Sequence, residues 1–288
     1  MRTVNSPFDT VIKLKKSVIQ HGPSSNRIYL MKLHPEDYPD IIPELTGMAE
    51  THKYGKIFAK VPSHALDGFL KEGFEKEAVV PGYYAGEDDA MFLGKYLRAE
   101  RRIVADDVRS MMEQVIALAG EKSTDQPSET TTPPFSIRRL ERDDVDALTR
   151  LYGSVFASYP FPIFEREYIL HTMEEDSIVY YGAFAENRRL VAASSAELNK
   201  VGLNAEMTDF ATHPDARGHN IALHLLLLME QDMRERGLHV LYTIARAIST
   251  GMNVTFAKAG YEYTGTLVNN TNISGQIENM NVWFKTLK

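Results

Sequence analysis

The segment from Ala205 to Leu226 carries residue types and spacings that could form an anion-binding turn. A mostly apolar stretch leads into turn-forming residues at Pro214 to Gly218, and these lead into apolar side chains at helical spacing. This order predicts a buried strand, a tight turn and a long amphipathic helix. The first turn of a helix leaves backbone N–H groups without intrahelical partners, so it offers donors to phosphate groups. A pyrophosphate-bearing cofactor that carries an acyl group needs such a site, and the acyl group would lie beside the strand.

The elements around this segment predict a mixed α/β domain over residues 135–288. We expect strands at 136–140, 178–185, 190–198, 205–212, 240–245, 261–268 and 280–286, with the second and third of these forming a hairpin. We expect helices at 143–155, 164–175, 217–236 and 250–259. A connection through the long helix would pair strand 240–245 in parallel with strand 205–212.

The first part of the chain predicts a smaller α/β domain over residues 1–119. We expect strands at 27–33, 56–61 and 90–97 and a helix at 63–72 that ends at Gly73. A later helix would bury one apolar face, formed by Val104, Val108, Met111, Val115 and Leu118. Residues 120–134 contain no large apolar side chain and are rich in Ser, Thr and Pro, so they predict a linker.

Two short segments of these domains resemble each other. Residues 69–75, FLKEGFE, are similar to residues 256–262, FAKAGYE, and each segment is followed by an apolar stretch, at 91–97 and at 282–287. One interpretation is that the first domain is a degenerate half-copy of the second. The alternative is that a helix, a glycine, an aromatic residue and a strand form a common local solution.

Composition and charge narrow the class of protein. The chain has 288 residues, a net charge of −7 and no cysteine. The negative charge disfavours binding to nucleic acid or to an anionic membrane, and the missing cysteine excludes disulfides, thiolate nucleophiles and thiolate metal ligands. The apolar run at 221–229 is too short to span a membrane, and residues 1–16 lack the apolar core of a signal peptide. These two features predict a cytoplasmic location. The nine histidines show no ligand spacing, so we expect no metal site.

The strand–turn–helix segment and residues 253–261 resemble the GCN5-related N-acetyltransferase (GNAT) superfamily. Gly218 matches the central glycine of its pyrophosphate motif, Arg217 matches a frequent companion, and Ala222 fits a small position of the helix. The resemblance implies a mixed, mostly antiparallel sheet flanked by helices, with acetyl-CoA as co-substrate. It assigns the pyrophosphate to residues of the turn, namely Arg217, Gly218, His219, Asn220, Ile221 and Ala222. It assigns the pantetheine arm and the acetyl group to the backbone of the entering strand, at Phe210, Ala211 and Thr212.

The sequence departs from the pattern of this superfamily at three positions. Asp215 stands where Gln or Arg is usual, and Asn220 stands where Gly or Ala is usual. Backbone N–H groups bind the phosphates, so both departures are tolerable, although Asp215 adds a like charge. Many relatives protonate the leaving thiolate with a tyrosine at the position that Phe256 occupies here. Either Tyr261 or Tyr263 replaces that acid, or the thiolate, with a pKa near 8.5, leaves with the help of water.

The reaction also needs a proton acceptor, because a lysine-type amine has a pKa of about 10.4 and must become neutral. A carboxylate or a water chain can take its proton. Glu206 lies six residues before Thr212, where several relatives carry a catalytic glutamate. It is either the general base or a solvated residue at a strand end. Strand alternation places residues 206, 208, 210 and 212 on one face and Asp209 on the other, and Asp209 is an alternative partner for the cation of the substrate.

A more specific resemblance, to the β-lysine N-acetyltransferases, spans about residues 25–288. It rests on five segments, YGKIFAKVP at 54–62, PGYYAGEDDA at 81–90, GMNVTFAK at 251–258, GTLVNNTNISG at 265–275 and MNVW at 280–283. The resemblance implies acetylation of the terminal amine of β-lysine, a substrate made by a lysine 2,3-aminomutase. The product, Nε-acetyl-β-lysine, is a compatible solute, since acetylation removes one cation and leaves a net-neutral zwitterion.

β-Lysine carries two ammonium groups and one carboxylate, so its site needs acids or carbonyls together with a cation or amides. The ammonium candidates are Glu87, Asp88 and Asp89, and the carboxylate candidates are Lys56, Lys60 and the predicted Asn-rich loop at 267–279, with Asn269, Asn270 and Asn272. The acidic residues could instead form a solvated turn, and the loop at 267–279 an exposed turn. Another small amine as substrate and a non-catalytic acyl-CoA sensor are the competing functions. The sequence leaves the oligomeric state open, with a homodimer as one option.

Overall fold

A computed structural model of the chain describes residues 9–124 and 135–287 and shows two sheets with helices packed against them. The described residues of the first half form six strands and three α-helices: β1 Thr10–Leu14, β2 Ser17–Gly22, β3 Arg27–Lys32, α1 Ile41–Thr51, β4 Lys56–Pro62, α2 Leu66–Lys71, β5 Glu75–Tyr84, β6 Asp88–Tyr96 and α3 Asp106–Lys122. The sheet order is β1-β2-β3-β4-β6-β5.

The second half forms a seven-stranded sheet in the order β12-β13-β11-β10-β9-β8-β7, in which β10 and β11 pair in parallel and the other neighbours pair antiparallel. Its elements are β7 Ser136–Arg139, α4 Val145–Val155, α5 Arg166–Glu174, β8 Ile178–Phe184, β9 Leu190–Asn199, β10 Asn204–Thr212, α6 Ile221–Glu235, β11 Val240–Arg246, α7 Thr250–Lys258, β12 Glu262–Ile273 and β13 Gln276–Thr286. This mixed, mostly antiparallel sheet flanked by helices confirms the predicted fold class.

Helix α6 forms because its apolar residues recur every three or four positions and are buried on one face against β9 and β10. Leu225, Leu226, Met229 and Met233 have no exposed surface. Gly237 follows the helix with a φ of +73°, a conformation that glycine adopts without steric cost, so the chain can turn into β11. Helix α6 therefore connects β10 to its parallel neighbour β11, as predicted.

Four elements of the first half, β1, β2, α1 and β5, were not predicted from the sequence. Pro43 and Gly47 obscure α1, and Pro81 and Gly82 obscure β5. Pro43 lies in the first turn of α1, where the missing N–H group costs no helical hydrogen bond. β5 is an edge strand, where proline is tolerated for the same reason.

Helix α3 continues to Lys122, three residues beyond the predicted end of the first domain at 119. Residues 125–134 of the predicted linker lie outside the described residues. The predicted apolar face of α3 is wrong in part, because Met111 is 48% exposed and Leu118 is 37% exposed. The buried residues are Val115 and Ala119, and the helix packs against α7 of the second half.

The predicted loop at 267–279 is also wrong, because β12 runs to Ile273 and β13 begins at Gln276. The two residues between these strands, Ser274 and Gly275, have φ values of +56° and +88° and form a tight turn. The polar side chains suggested a solvated loop, but many of them bond to the first half instead. Asn269, for example, donates to the carbonyls of Arg101 and Ile103.

The two sheets share one connectivity. The order β1-β2-β3-β4-β6-β5 repeats as β8-β9-β10-β11-β13-β12, and the parallel pair β3–β4 corresponds to β10–β11. The strands β3 and β10 also lead into similar turns. His34 and His213 each cap a short 3-10 turn that begins with proline, and each accepts a hydrogen bond from the N–H two residues later. These features support a degenerate copy in the first half, which stays a prediction.

Side chains of both halves form one buried core between the sheets, including Tyr29, Phe58, Val80, Phe92, Tyr242, Leu267, Met280 and Val282. A buried ion pair of the first half, with Lys56 Nζ 2.8 Å from Glu77 Oε2, also bonds across this contact. Lys56 donates to the carbonyl of Val268 at 2.7 Å, and the N–H of Val268 donates to Glu77. Burial lowers the pKa of Lys56 to about 8. Lys56 is fully buried in this contact, so it ties the halves together and does not face the cavity described below.

Replacing Lys56 with Met should lower the free energy of unfolding by about 3–5 kcal/mol, since it leaves the Glu77 carboxylate buried without its cation. Glu77 is 5% exposed, so little water can reach its carboxylate in place of the lost cation. Urea unfolding measures the effect. The double variant Lys56→Met, Glu77→Leu should recover most of the loss, because it removes both charges. Equal stability of the single and double variants would contradict this account.

Candidate active site

The parallel strands β10 and β11 separate after a short paired region, and the separation creates a cavity. Their paired residues run only from Asn204 to Glu206 on β10. Beyond that point a cavity of about 580 Å³ lies between residues 208–212 of β10 and residues 243–246 of β11. Its floor reaches the turn before α6 and the start of α7. Backbone groups of strands that no longer pair with each other are free to bind a ligand.

A β-bulge at Asp209 causes the separation. The pairing of β10 with β9 shifts register between Thr208 and Ala211, and Asp209 has a φ of +55°. The prediction that residues 206, 208, 210 and 212 share one face is therefore wrong. Met207 and Phe210 both pack towards the core beneath α6, whereas Ala211 packs towards α4. The bulge brings Asp209 and Thr208 together on the wall of the cavity.

The turn that enters α6 has the geometry of an anion site. Gly218 has a φ of +85° and Asn220 a φ of +54°, and the helix begins at Ile221 rather than at the predicted residue 217. Within the described residues, the backbone N–H groups of 218–222 have no hydrogen-bond acceptor in the protein. Successive free N–H groups around a left-handed residue form a concave site for anions. The structure therefore fits a pyrophosphate at this turn.

Most residues of the predicted cofactor site line this one cavity: Phe210, Thr212, Arg217, Gly218, Asn220, Ile221 and Ala222. Ala211 and His219 are not among the lining side chains, and His219 Nδ1 lies 3.0 Å from the carbonyl oxygen of Arg217. The side chain of Asp215, the like charge near the phosphates, is 73% exposed and does not line the cavity. Its departure from the family motif is therefore tolerated without a contact to the anion.

The cavity contains a phenylalanine where the family commonly has a tyrosine. Phe256 is fully buried and packs edge-to-face on Phe210, with ring centres 5.5 Å apart. Neither proposed substitute lines the cavity: Tyr261 is buried in the core, and Tyr263 is 39% exposed. A different tyrosine, Tyr159, does line the cavity, and its hydroxyl lies 3.3 Å from Thr208 Oγ1. Burial raises its pKa well above the usual value, so Tyr159 keeps its proton.

Two carboxylates, Glu206 and Glu197, lie directly opposite each other on β10 and β9, and Glu206 stands two residues before the cavity residue Thr208. Tyr242 donates to Glu206 Oε2 at 2.9 Å, and Lys60 Nζ donates to the hydroxyl of Tyr242 at 3.3 Å. Burial raises the pKa of Glu206, and Asp209 adds to the shift, whereas Lys60 and Tyr242 oppose it. In the structure Glu206 is half-buried, so it is not a solvated residue at a strand end.

Glu197 was missed by the sequence analysis. Burial raises its pKa well above the usual value, and the negative charges of Glu206 and Asp209 add to this shift. Asp209 is 5% exposed, accepts a hydrogen bond from Ser195 Oγ, and has a pKa that burial raises. The sequence did contain one indication of this residue, because Glu197 is an acid in a strand made mostly of small or apolar residues, LVAASSAELN. Its position opposite Glu206, however, depends on strand register.

The other predicted substrate residues lie elsewhere. Glu87 is exposed in the β5–β6 turn, and Asp88 lies 3.9 Å from His64. The three asparagines of β12 contact the first half: Asn269 as described above, Asn270 through its carbonyl, which accepts from Arg27 at 2.8 Å, and Asn272 through Ser24. None of these side chains lines the cavity.

Residues 9–124 and 135–287 contain no group of three His, Asp or Glu side chains arranged to hold a metal ion. No helix in the same ranges is long and apolar enough to cross a membrane.

A turn with free N–H groups beside a bulged, separated strand pair is the arrangement of an acyl-CoA site, and the comparisons agree with an acyltransferase. The sequence profile described as Acetyltransferase (GNAT) family matches residues 145–261. The chain belongs to the GNAT family and is an acetyl-CoA-dependent N-acetyltransferase. It is 37% identical to the beta-lysine N(6)-acetyltransferase of Methanococcus maripaludis over 283 residues. The alignment covers 96% of this chain and 99% of that protein.

Two further relatives match over nearly their whole length. The N-acetyltransferase YodP of Bacillus subtilis is 32% identical over 94% of this chain and 96% of its own. The beta-lysine N(6)-acetyltransferase of Methanosarcina mazei is 29% identical over 87% of this chain and 98% of its own. The resemblance predicted from the sequence is therefore confirmed, and it includes the first half of the chain.

Proposed function

We propose that this enzyme transfers the acetyl group of acetyl-CoA to the terminal amine of β-lysine. The observation that carries the proposal is the cavity between β10 and β11, which runs from the anion turn to Asp209 and lies beside Glu206. Carboxylates at the inner end of an acyl-CoA cavity suit an amine that arrives as an ammonium ion. Two relatives named for β-lysine acetylation, similar over most of the chain, support this choice among amines.

Glu206 is the group we assign to proton removal. The terminal ammonium binds to it as an ion pair, and its proton passes to the carboxylate directly or through one water. When bound, acetyl-CoA supplies the thioester carbon to which the neutral amine adds, so that a C–N bond forms and the C–S bond breaks. The nitrogen then gives up its second proton, and CoA leaves as a thiolate that is protonated with the help of water. A raised pKa makes Glu206 a stronger base than an exposed glutamate. Tyr242 holds the carboxylate in place through its hydrogen bond.

The turn before α6 would hold the pyrophosphate through the N–H groups of residues 218–222, and the opened edge of β10 at 210–212 would hold the acetyl arm. The product keeps one ammonium and one carboxylate and carries no net charge. We further infer that a lysine 2,3-aminomutase supplies the substrate and that the product serves as a compatible solute.

A panel of amines tests the proposal. Purified protein and acetyl-CoA are mixed with β-lysine, lysine, ornithine or spermidine, and the release of free CoA is followed. We expect β-lysine to give the highest kcat/KM, with the acetyl group found on the terminal nitrogen by NMR. Protein without an amine supplies the background rate. If β-lysine, lysine and ornithine all release no CoA above that background, the substrate assignment is wrong.

A further inference from the structure

Three charged side chains converge from both halves of the protein at the inner end of the cavity. We call Lys60 of β4, Glu197 of β9 and Glu206 of β10 the three-charge cluster. Glu206 stands two residues before the cavity residue Thr208 on the same face of β10, about 7 Å along the strand. On the facing strand, Tyr242 likewise stands two residues before the cavity residue Ile244. Glu206 and Tyr242 therefore lie just beyond the cavity along both strands, and Lys60 of the first half reaches them through the hydroxyl of Tyr242.

The charges of this cluster are not balanced within the protein. The side chain of Glu197 is half-buried. It nevertheless has no hydrogen-bond or ion-pair partner among the described residues. Lys60 bonds to the hydroxyl of Tyr242 and lies 5.0 Å from the ring centre of Tyr83, and no carboxylate of the described residues lies within 4.0 Å of it. Two acids directly opposite each other in a sheet repel and destabilise it. A ligand with complementary charges would relieve this repulsion.

A diamino acid has the complementary charges, because its two ammonium groups match the two acids and its carboxylate matches Lys60. An ammonium bound beside Glu197 would favour the ionised form of this acid against the burial that raises its pKa. We propose that Lys60 binds the substrate carboxylate and that Glu197 binds the ammonium that does not react, while the reacting ammonium lies at Glu206. This inference rests on the proposed function and adds to it the residues that select the substrate. It gives the first half a direct role, because Lys60 is its contribution to the site.

The assignment also explains how simple polyamines would be rejected. A polyamine presents cations but no carboxylate, so it would place a positive charge near the unpaired ammonium of Lys60. Repulsion between like charges in a desolvated site is a common source of specificity. Selection by Lys60 would therefore act against amines that lack a carboxylate, without any contact to the reacting nitrogen.

Truncated substrates test each contact separately. Pentane-1,4-diamine is β-lysine without its carboxylate, and 6-aminohexanoate is β-lysine without its inner amine. In Lys60→Met, the ratio of kcat/KM for β-lysine to kcat/KM for pentane-1,4-diamine should fall about 100-fold relative to the wild type. In Glu197→Gln, the ratio for β-lysine to 6-aminohexanoate should fall by a similar factor. Lys60→Arg keeps the cation and should retain most of the first ratio.

Lys32→Met is the matched control, because Lys32 is an exposed lysine at the end of β3 in the same half. It should keep the wild-type ratios. Affinity for CoA, measured by calorimetry, shows that each variant is folded. An unchanged ratio in Lys60→Met or in Glu197→Gln overturns the corresponding contact while acetyl transfer to β-lysine still stands. Absence of turnover of β-lysine by the wild type instead overturns the proposed function, and this inference falls with it.

Discussion

Replacing Glu206 with Gln should lower kcat for the amine substrate by about 10²–10⁴-fold, the range that a positioned general base contributes. Gln has the same shape and accepts the hydrogen bond that Tyr242 donates, but it cannot take a proton from the ammonium. Affinity for CoA should change little, because the anion turn at 218–222 lies at the other end of the cavity. Stopped-flow or steady-state CoA release measures the rate, and calorimetry measures the affinity.

The pH profile of the same variant distinguishes a base from a residue that only fills space. Burial raises the pKa of Glu206, so the wild type should lose activity as the pH falls through a value above the usual 4.3 of glutamate, because the base becomes protonated. Glu197 and Asp209 titrate nearby, so the observed acid limb belongs to the group rather than to one residue. In Glu206→Gln this limb should weaken or disappear.

The matched control is Glu262→Gln, which removes one acid from an exposed position of β12. It should retain the rate and the pH profile of the wild type. If Glu206→Gln has the wild-type rate at all pH values, Glu206 is not the base, and a water chain must take the proton.

The sequence was sufficient for the elements of the second half because each carries a local signal. Apolar periodicity marks α6, a positive-φ glycine ends it at Gly237, and a short polar turn separates β8 from β9. The first half was harder to predict, because proline and glycine lie inside α1 and β5 at positions where the fold tolerates them. The repeated connectivity of the two sheets left only a faint trace in the sequence, since the matching depends on strand order rather than on residue identity.

The candidate site was predicted only where its chemistry is local. The anion turn depends on Gly218 and on the start of one helix, so it could be located from the sequence. The bulge at Asp209 could not, because residues 208–212 contain no glycine or proline that would mark it. The contact of Lys60 with Tyr242 depends on packing between the halves, and the position of Glu197 depends on register. These are tertiary properties that no single segment encodes.

Replacing Ala222 with Glu should raise the dissociation constant for CoA about 100-fold relative to Ala222→Gln, which corresponds to about 2.7 kcal/mol. Ala222 lines the cavity in the first turn of α6, beside the free N–H groups of the turn. A carboxylate there would lie close to the pyrophosphate, and two like charges 4 Å apart repel by about 4 kcal/mol at the effective dielectric constant of a protein surface, before screening by salt.

The Gln variant controls for size, because it has nearly the same volume and helix propensity as Glu but no charge. Stability separates electrostatics from damage to the fold: an acid near a helix N-terminus complements the helix dipole, so Ala222→Glu should keep or raise the melting temperature while it weakens CoA binding. The ratio of the two dissociation constants should also shrink as ionic strength rises. Equal dissociation constants for the Glu and Gln variants at low salt would mean that the pyrophosphate does not bind at the start of α6.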